Sequence, residues 1–180
     1  MDSFIEEVLF THEDIVKRCD ELGKQISKDY GDEPIVLIGL LRGSVPFMVE
    51  LMMHIKNDVQ IDFMDVCSYH GTTSSGSVTI LKDIKLDIKN RHVIIAEDIV
   101  DTGLTLKNVM DLLCERGAAS IEIACLLNKP AARKYKCLEP KYVAFTVDPK
   151  FVVGFGLDYN QSYRNLDYVG VLKRSIYENK

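Results

Sequence analysis

The chain has 180 residues, of which 27% are charged and 47% hydrophobic, proportions typical of one folded globular domain. Its net charge of −5 excludes a broad basic surface for nucleic acid, so an anionic ligand has to be held by local groups. The five cysteines are odd in number and form no CxxC pair, which argues against a disulfide framework or a zinc site.

The first ten residues, MDSFIEEVLF, are acidic where a signal peptide would be basic. The longest apolar stretches, residues 34–41 and 45–53, are too short to cross a bilayer. These features predict a cytoplasmic protein. Because the chain has neither an internal repeat nor a linker, a single domain spanning residues 1–180 is expected.

The first half of the chain predicts a helix, a strand, a helix and a strand. IVLIGL at 35–40 is unbroken and apolar, as in a strand covered on both faces. VPFMVELMMHI at 45–55 predicts a helix with Ser44 as its N-cap and Pro46 in its first turn. VQIDFMDV at 59–66 is a further strand. An amphipathic helix before them is indicated by apolar residues at helical spacing, Ile15, Cys19, Leu22 and Ile26.

The second half repeats this alternation. Residues 93–97 predict a buried strand, and residues 104–116 predict a helix that ends before Gly117. Further strands are predicted at 121–127, 142–146, 151–153 and 168–172. Alternating strands and helices indicate an α/β fold with a mainly parallel sheet, in which ligands bind at the carboxyl ends of the strands.

One such strand end carries three acids in the stretch VIIAEDIVDTGLTL, residues 93–106. In one interpretation, Glu97 and Asp98 are solvent-facing strand ends, and Asp101 or Thr102 caps the next helix. In the other, the helix N-terminus and Gly103 receive a phosphate while the acid pair holds a hard cation such as Mg²⁺. Neither GxxxxGK[ST] nor a GxGxxG after a strand is present, so the phosphate is bound by another scheme.

This stretch resembles the phosphoribosyl-pyrophosphate (PRPP) motif of the type I phosphoribosyltransferases. Four other segments are similar to the hypoxanthine-guanine branch of that family: LLRGS at 40–44, SYHGTTSSG at 68–76, LLNKP at 126–130 and KFVVGFGLDYNQSYRNL at 150–166. The resemblance implies the type I phosphoribosyltransferase fold, a mainly parallel central sheet flanked by helices. It also implies a small hood, built from the N-terminal segment and the part around 129–180.

The activity implied by the resemblance is purine salvage. PRPP would transfer its 5-phosphoribosyl group to N9 of hypoxanthine or guanine, giving IMP or GMP and pyrophosphate with Mg²⁺ as cofactor. Asp101 matches the family's general base near the purine N7. The PRPP and 5′-phosphate contacts match Glu97, Asp98, Thr102, Gly103, Leu104 and Thr105. Leu104 stands where some relatives carry lysine, so a charged contact from that position is missing.

The resemblance assigns the remaining site residues by role. Pyrophosphate would be bound by Arg42, Gly43, Arg164, Ser68 and Tyr69, with a cis peptide before Arg42. The purine would contact Lys129 through its O6, Phe151 by stacking, and Val152 and Asp158 at its C2 edge. The metal shell would include Glu97, Asp98 and Asp158.

Taken alone, three of these features also have ordinary interpretations. Arg42 is then a surface charge after a strand, and Phe151 a core aromatic residue. Residues 68–77, rich in Gly, Ser and Thr, are then a flexible hairpin loop, whereas the family uses this segment as a lid. The four histidines fit no metal spacing.

Two other functions stay open at this stage. One is a regulator that binds RNA or DNA and uses PRPP as an effector, although the acidic balance speaks against it. The other is an enzyme of the same fold acting on xanthine or adenine. The expected partners are small-molecule substrates, without nucleic acid or membrane. A homodimer or homotetramer is expected from the resemblance alone.

Overall fold

Strands and helices alternate along the chain, as the sequence predicts. The computed structural model describes residues 2–68, 78–135 and 138–178. The elements are β1 Ile5–Phe10, α1 His12–Tyr30, β2 Ile35–Leu40, α2 Val45–Met52, β3 Val59–Ser68, β4 Val78–Lys82, β5 His92–Val100, α3 Leu104–Glu115, β6 Ser120–Asn128, β7 Tyr142–Thr146, β8 Val152–Val153, β9 Val169–Leu172 and α4 Arg174–Tyr177. A short 3₁₀ helix, Pro130–Ala132, follows β6.

The central sheet has six strands in the order β4-β3-β2-β5-β6-β7. The five neighbouring strands β3, β2, β5, β6 and β7 pair in parallel. The edge strand β4 runs antiparallel to its neighbour β3. The predicted α/β fold with a mainly parallel sheet is therefore confirmed. Because the parallel strands all end at the same edge, the loops after β2, β5 and β6 are brought together there.

Helices cover both faces of this sheet, since successive strand residues point to opposite sides. Ile35 and Leu37 of β2 pack with α1 and α2, whereas Val36 and Ile38 pack with α3. All six residues of β2 are buried, as the unbroken apolar run predicts. Each large aliphatic side chain buried in this way contributes about 1.5–3 kcal/mol to folding.

The start of α2 differs from the prediction at Ser44. This residue precedes the helix, but its backbone is already helical (φ −68°, ψ −16°) and its side chain makes no capping hydrogen bond. Ser44 is fully buried, and its Oγ instead donates to the carbonyl O of Leu40 at 2.6 Å. Pro46 lies in the first turn as predicted, and the helix ends at Met52 rather than running to residue 55.

A second, antiparallel sheet has the order β1-β9-β8 and joins the two ends of the chain. Ile5 of β1 lies opposite Leu172 of β9, and Val152 of β8 lies opposite Val171. Val152, Val169 and Val171 also belong to the core between the main sheet and α1. The small sheet is thus packed on the main one, and we call it, with the loop that follows β8, the hood.

Within the described residues, no helix is both long and apolar enough to span a membrane.

Candidate active site

Three loops meet at the carboxyl edge of the central sheet. Residues 41–44 follow β2, residues 101–103 follow β5, and Lys129 follows β6. Residues 151–164 of the hood lie across from these three loops. Three adjoining pockets lie between these segments.

The first pocket surrounds the start of α3 and is called here the phosphate pocket. It is lined by Glu97, Ile99, Asp101, Thr102, Gly103, Leu104, Thr105 and Leu106. Gly103 has φ +85°, a conformation that favours glycine, and it precedes the first residue of α3 without a side-chain cap. Neither Asp101 nor Thr102 caps the helix, so the positive end of its dipole faces this pocket, where it attracts an anion.

Glu97 and Asp98 lie side by side at the end of β5. Burial raises the pKa of both carboxyls, and in Glu97 the charge of Asp98 raises it further. The pKa of Asp98 reaches about 6, although Arg164 opposes the rise. Asp98 also accepts a hydrogen bond from the backbone N–H of Ile99 at 2.7 Å. Two partly desolvated carboxylates next to each other would be stabilised by a cation.

Among the described residues, no three His, Cys, Asp or Glu side chains form a set that could hold a metal ion alone. Asp158 nevertheless lines the same pocket as Glu97 and Asp98. Carboxylates that line one pocket without forming a complete ligand set suit Mg²⁺, which usually takes only one or two carboxylates directly and fills its shell with water and substrate phosphates.

The second pocket, called here the pyrophosphate pocket, lies between the loop after β2 and the hood. Its lining includes Arg42, Gly43, Asp98, Asp158 and Arg164. The peptide bond between Leu41 and Arg42 is cis, as the resemblance implies. Two arginines beside the three carboxylates of Glu97, Asp98 and Asp158 give this pocket both anion-binding and cation-binding groups.

Gln161 links the two arginines of the pyrophosphate pocket. Its Oε1 accepts from Arg164 Nη2 at 3.1 Å and from Arg42 Nη1 at 3.4 Å. Arg164 also pairs with Asp158 Oδ1 at 2.8 Å and donates to the carbonyl O of Gly156 at 2.6 Å. The guanidinium of Arg164 is thereby fixed at the base of the hood.

Two glycines allow close contacts around the loop after β2. A Cβ atom on Gly156 would lie 1.9 Å from the carbonyl O of Gly43, and one on Gly43 would lie 1.5 Å from Oδ2 of Asp98. Gly156 also has φ +99°. The contact of the hood with the loop therefore requires glycine at position 156, and the Asp98 carboxylate has its place because position 43 lacks a side chain.

The third pocket, called here the purine pocket, is lined by Asp98, Ile99, Asp101, Lys129, Phe151, Val152, Leu157 and Asp158. Lys129 Nζ donates to the carbonyl O of Lys150 at 2.8 Å, and burial lowers the pKa of this lysine against the charge of Asp101. The Phe151 ring is 38% exposed and stacks on Tyr177 with ring centroids 4.7 Å apart. An exposed aromatic ring next to a partly buried ammonium can hold a flat polar heterocycle.

The structure brings the predicted site residues together in the three pockets, with two exceptions. Tyr69 lies outside the described residues, as do the residues of the predicted lid from 70 to 77, and Ser68 is described only as the last residue of β3. The roles assigned to Ser68 and Tyr69 therefore stay predictions.

The residues at the site that the sequence does not predict include Ile99, Arg133, Leu157 and Gln161. Ile99 lies inside the acidic motif and lines both the phosphate and the purine pockets. Its position in the sequence between two predicted site residues, Asp98 and Asp101, could have indicated that Ile99 lines the site. Arg133 and Gln161 carry no such signal, because they act through contacts that only the folded chain makes.

Comparison with known proteins defines the class. A family model described as "Phosphoribosyl transferase domain" matches residues 7–160, which include the loops after β2, β5 and β6. The parallel sheet, the phosphate pocket after β5 and the hood agree with that class.

Similar proteins narrow the class further. The hypoxanthine-guanine phosphoribosyltransferase of Streptococcus pneumoniae is 49% identical over 180 residues, covering 99% of both chains. That of Streptococcus mutans is 51% identical over 178 residues, covering 98% of both. A crystal structure of a hypoxanthine phosphoribosyltransferase from Staphylococcus aureus matches with a TM-score of 0.94 at 50% identity, over 98% of this chain and 96% of that one. The Trypanosoma cruzi enzyme in complex with the product IMP matches with a TM-score of 0.93 at 38% identity, over 98% and 99% of the two chains.

The chain belongs to the hypoxanthine-guanine phosphoribosyltransferases of the type I phosphoribosyltransferase family.

Proposed function

We propose that this enzyme performs purine salvage, transferring the 5-phosphoribosyl group of PRPP to N9 of hypoxanthine or guanine. The products are IMP or GMP and pyrophosphate. The observation that carries this proposal is that the phosphate, pyrophosphate and purine pockets adjoin and share residues. Asp98 and Asp158 line both the pyrophosphate and the purine pockets, and Asp101 lines both the phosphate and the purine pockets. The names of the full-length relatives and the IMP complex of the Trypanosoma cruzi enzyme support the same activity.

In the reaction, the bond between N9 and the anomeric carbon forms while the bond from that carbon to pyrophosphate breaks. Positive charge develops on the ribose and on the purine, whose N–H proton has to leave. Asp101 is the proposed general base, because this residue lines both the phosphate and the purine pockets, where its carboxylate would reach N7 of a bound purine. Its negative charge also stabilises the positive charge on the purine.

The phosphate pocket is proposed to hold the 5′-phosphate. Thr102 and Thr105 supply hydroxyl groups, and the backbone at Gly103 and Leu104 supplies N–H groups at the start of α3. Leu104 adds no positive charge, so the phosphate depends on the helix dipole and these hydrogen bonds.

The pyrophosphate pocket is proposed to hold the leaving group through Arg42, Gly43 and Arg164. A guanidinium can donate two parallel hydrogen bonds to a phosphate group, and Gly43 lets the backbone approach closely.

The purine pocket is proposed to select 6-oxopurines. The Lys129 ammonium donates and cannot accept, so it suits the O6 of hypoxanthine or guanine and not the amino group of adenine. Phe151 stacks on the base, while Val152 and Asp158 face its C2 edge. Backbone carbonyls there would accept from the amino group of guanine and would repel the 2-oxo group of xanthine.

We propose Mg²⁺ as the cofactor, held by Glu97, Asp98 and Asp158 through water and substrate oxygens. When bound, it neutralises charge on the pyrophosphate. The partly buried carboxylates of Glu97 and Asp98 are also proposed to accept hydrogen bonds from the ribose hydroxyls.

The chain is further proposed to work as one phosphoribosyltransferase domain with its hood, in the cytoplasm. Assembly as a homodimer or homotetramer is proposed from the family alone.

The test is a spectrophotometric assay of hypoxanthine, guanine, xanthine and adenine with PRPP and Mg²⁺. Hypoxanthine and guanine should be good substrates, xanthine poor and adenine inert, because an unpaired buried donor or acceptor costs about 1–3 kcal/mol or more. If xanthine matched guanine, the C2 argument would be wrong. Appreciable adenine turnover would remove Lys129 from its role.

A further inference from the structure

Residues 100–103, at the end of β5 and after it, are called here the phosphate loop, and three successive carbonyl groups of this loop are hydrogen-bonded to the segment that follows β6. The carbonyl O of Val100 accepts from Lys129 N at 3.0 Å, and that of Thr102 accepts from Lys134 N at 3.1 Å. Between them, the carbonyl O of Asp101 accepts from Arg133 Nε at 3.0 Å. The loop is therefore held along one side, from the end of β5 to Gly103.

Arg133 makes the largest side-chain contribution to this contact. Besides Asp101, its guanidinium donates to the carbonyl O of Val100 at 3.3 Å and to Asn128 Oδ1 at 2.5 Å. It also donates to the carbonyl O of Leu138. One planar group thus ties the end of β5, the end of β6 and the loop after the 3₁₀ helix to one another.

The direction of these carbonyl groups determines the direction of the N–H groups. In a planar trans peptide, the C=O of one residue and the N–H of the next point to opposite sides. Because the carbonyls of Val100, Asp101 and Thr102 face the segment 129–135, the N–H groups of the following three residues face away from it. The phosphate pocket, lined by Asp101, Thr102 and Gly103, lies on that side.

We infer that Arg133 is a positioning residue for PRPP: by holding the carbonyl O atoms of Val100 and Asp101, it aims the backbone N–H groups of the phosphate loop at the 5′-phosphate and sets the place of the Asp101 carboxylate. Gly103 belongs to the same contact, since a Cβ on it would lie 3.4 Å from Arg133 Cδ and 3.2 Å from Leu138 Cδ1. This inference rests on the proposed function, because it assigns the loop to PRPP.

Substitution of Arg133 by lysine tests the geometry separately from the charge. Lysine keeps the positive charge, but its single ammonium cannot reach four acceptors spread over three segments. In Arg133→Lys, the KM for PRPP should rise on the order of tenfold or more and kcat should fall, as expected when a loop loses its orientation. The KM for hypoxanthine should change little, because Lys129, Phe151 and Val152 are untouched.

Arg116→Lys is the matched control. Arg116 also makes two hydrogen bonds, at 2.7 and 2.6 Å, but to the Asp83 carboxylate, away from the three pockets. It should lower the melting temperature without raising the KM for PRPP. In Arg133→Ala, millimolar guanidinium should restore part of the activity, which a general loss of folding would not allow.

Two outcomes separate the inference from the proposed function. If the wild-type enzyme did not use PRPP at all, the proposed function would fail. If it did, and Arg133→Lys kept the wild-type KM for PRPP and kcat, or raised the KM values of both substrates alike, Arg133 would be only a structural residue.

Discussion

Lys129 is the side chain that is proposed to select between purines. Its ammonium is partly buried and donates to one carbonyl group, that of Lys150. An ammonium has three donors, so two remain for a ligand. Burial lowers the pKa of Lys129, because the charged form is partly desolvated. A 6-oxopurine supplies the acceptor that this group needs.

We predict that Lys129→Met lowers kcat/KM for hypoxanthine and guanine on the order of tenfold or more, since a hydrogen bond from a charged donor contributes about 1.5–3 kcal/mol. The KM for PRPP should stay the same, because the phosphate pocket does not include Lys129. Steady-state kinetics with each substrate varied in turn measures both values.

Lys150→Met is the control for this change. The Lys150 side chain pairs with Glu7 at 2.9 Å, outside the purine pocket, and its backbone carbonyl remains in the variant. It should leave purine kinetics unaltered. An equal loss in both variants would contradict the assignment of Lys129.

Asp101→Asn is predicted to lower kcat by a factor on the order of 10² or more, the scale of a lost general base. The affinity for PRPP should change little, because Thr102, Thr105 and the loop backbone remain. Pre-steady-state turnover and PRPP binding measure the two effects separately. Asp111→Asn, on the exposed side of α3, is the control. Wild-type turnover in Asp101→Asn would mean that this carboxylate has no role in proton transfer.

At the scale of elements, the buried strands were predictable because an unbroken run of apolar residues is stable only when it is buried in the core. The unbroken run of β2 and the helical spacing in α1 both match the structure. β1 was not predicted, since Glu6 and Glu7 interrupt its pattern at the edge of a small sheet. Ser44 occupies the predicted N-cap position of α2, but its side chain does not cap the helix, because its buried hydroxyl donates to the carbonyl group at the end of β2.

The candidate site was predictable where its residues are contiguous. Residues 97–105 supply almost the whole lining of the phosphate pocket, so the contiguous motif by itself indicates which residues lie together there. Gln161 and Arg133 lie far in sequence from the groups that they hold, Arg42 in one case and Asp101 in the other. Their contacts depend on how the hood and the loop after β6 pack. The local sequence pattern does not predict this packing.

Asp62 holds the end of β4 and the loop after it against β3. Its side chain is 12% exposed and accepts from the N–H groups of Lys85 at 2.5 Å, Phe63 at 2.8 Å and Leu86 at 3.0 Å. Burial alone would raise the pKa of this carboxyl, but these hydrogen bonds lower it below its ordinary value. A lowered pKa in the folded state means that the carboxylate stabilises the fold above the unfolded-state pKa, about 3.9.

We predict that Asp62→Asn lowers the free energy of unfolding at pH 7 by about 1–3 kcal/mol, because one oxygen acceptor becomes a donor beside backbone N–H groups. The difference from wild type should shrink as the pH falls through the lowered pKa, where the wild-type carboxyl is protonated too. Urea unfolding at a series of pH values measures this. Asp32→Asn, which removes an exposed carboxylate, should show no such trend, and a difference that grew towards acid would refute the role of Asp62.

At the scale of the whole molecule, the pockets proposed for the two substrates are built from different parts of the fold. The phosphate pocket belongs to the central sheet and α3, whereas the purine pocket needs Phe151 and Val152 from the hood. The ring of Phe151 is supported from behind by Tyr177 of α4, with an angle of 21° between the ring planes. The last helix of the chain therefore contacts the residue on which the base is proposed to stack.

Tyr177→Ala is predicted to raise the KM for hypoxanthine several-fold, since a stacked aromatic pair contributes about 0.5–1.5 kcal/mol and the freed Phe151 ring loses its fixed position. The KM for PRPP should not change. Tyr177→Phe keeps the ring and serves as the control. Equal purine KM values in the alanine and wild-type enzymes would show that Phe151 is held without Tyr177.

The contact between Gly43 and Gly156 limits how this sequence can evolve. The atoms that a new Cβ would meet are a backbone carbonyl O in one direction and the Asp98 carboxylate in the other. At Gly156 no change in a neighbouring side chain can make room, because the obstacle is the main chain itself. At Gly43 the obstacle is the Asp98 carboxylate, which is proposed to hold Mg²⁺, so a change that made room there would alter the proposed metal site. In a library covering every position, these two should accept almost no replacement even among variants that still fold.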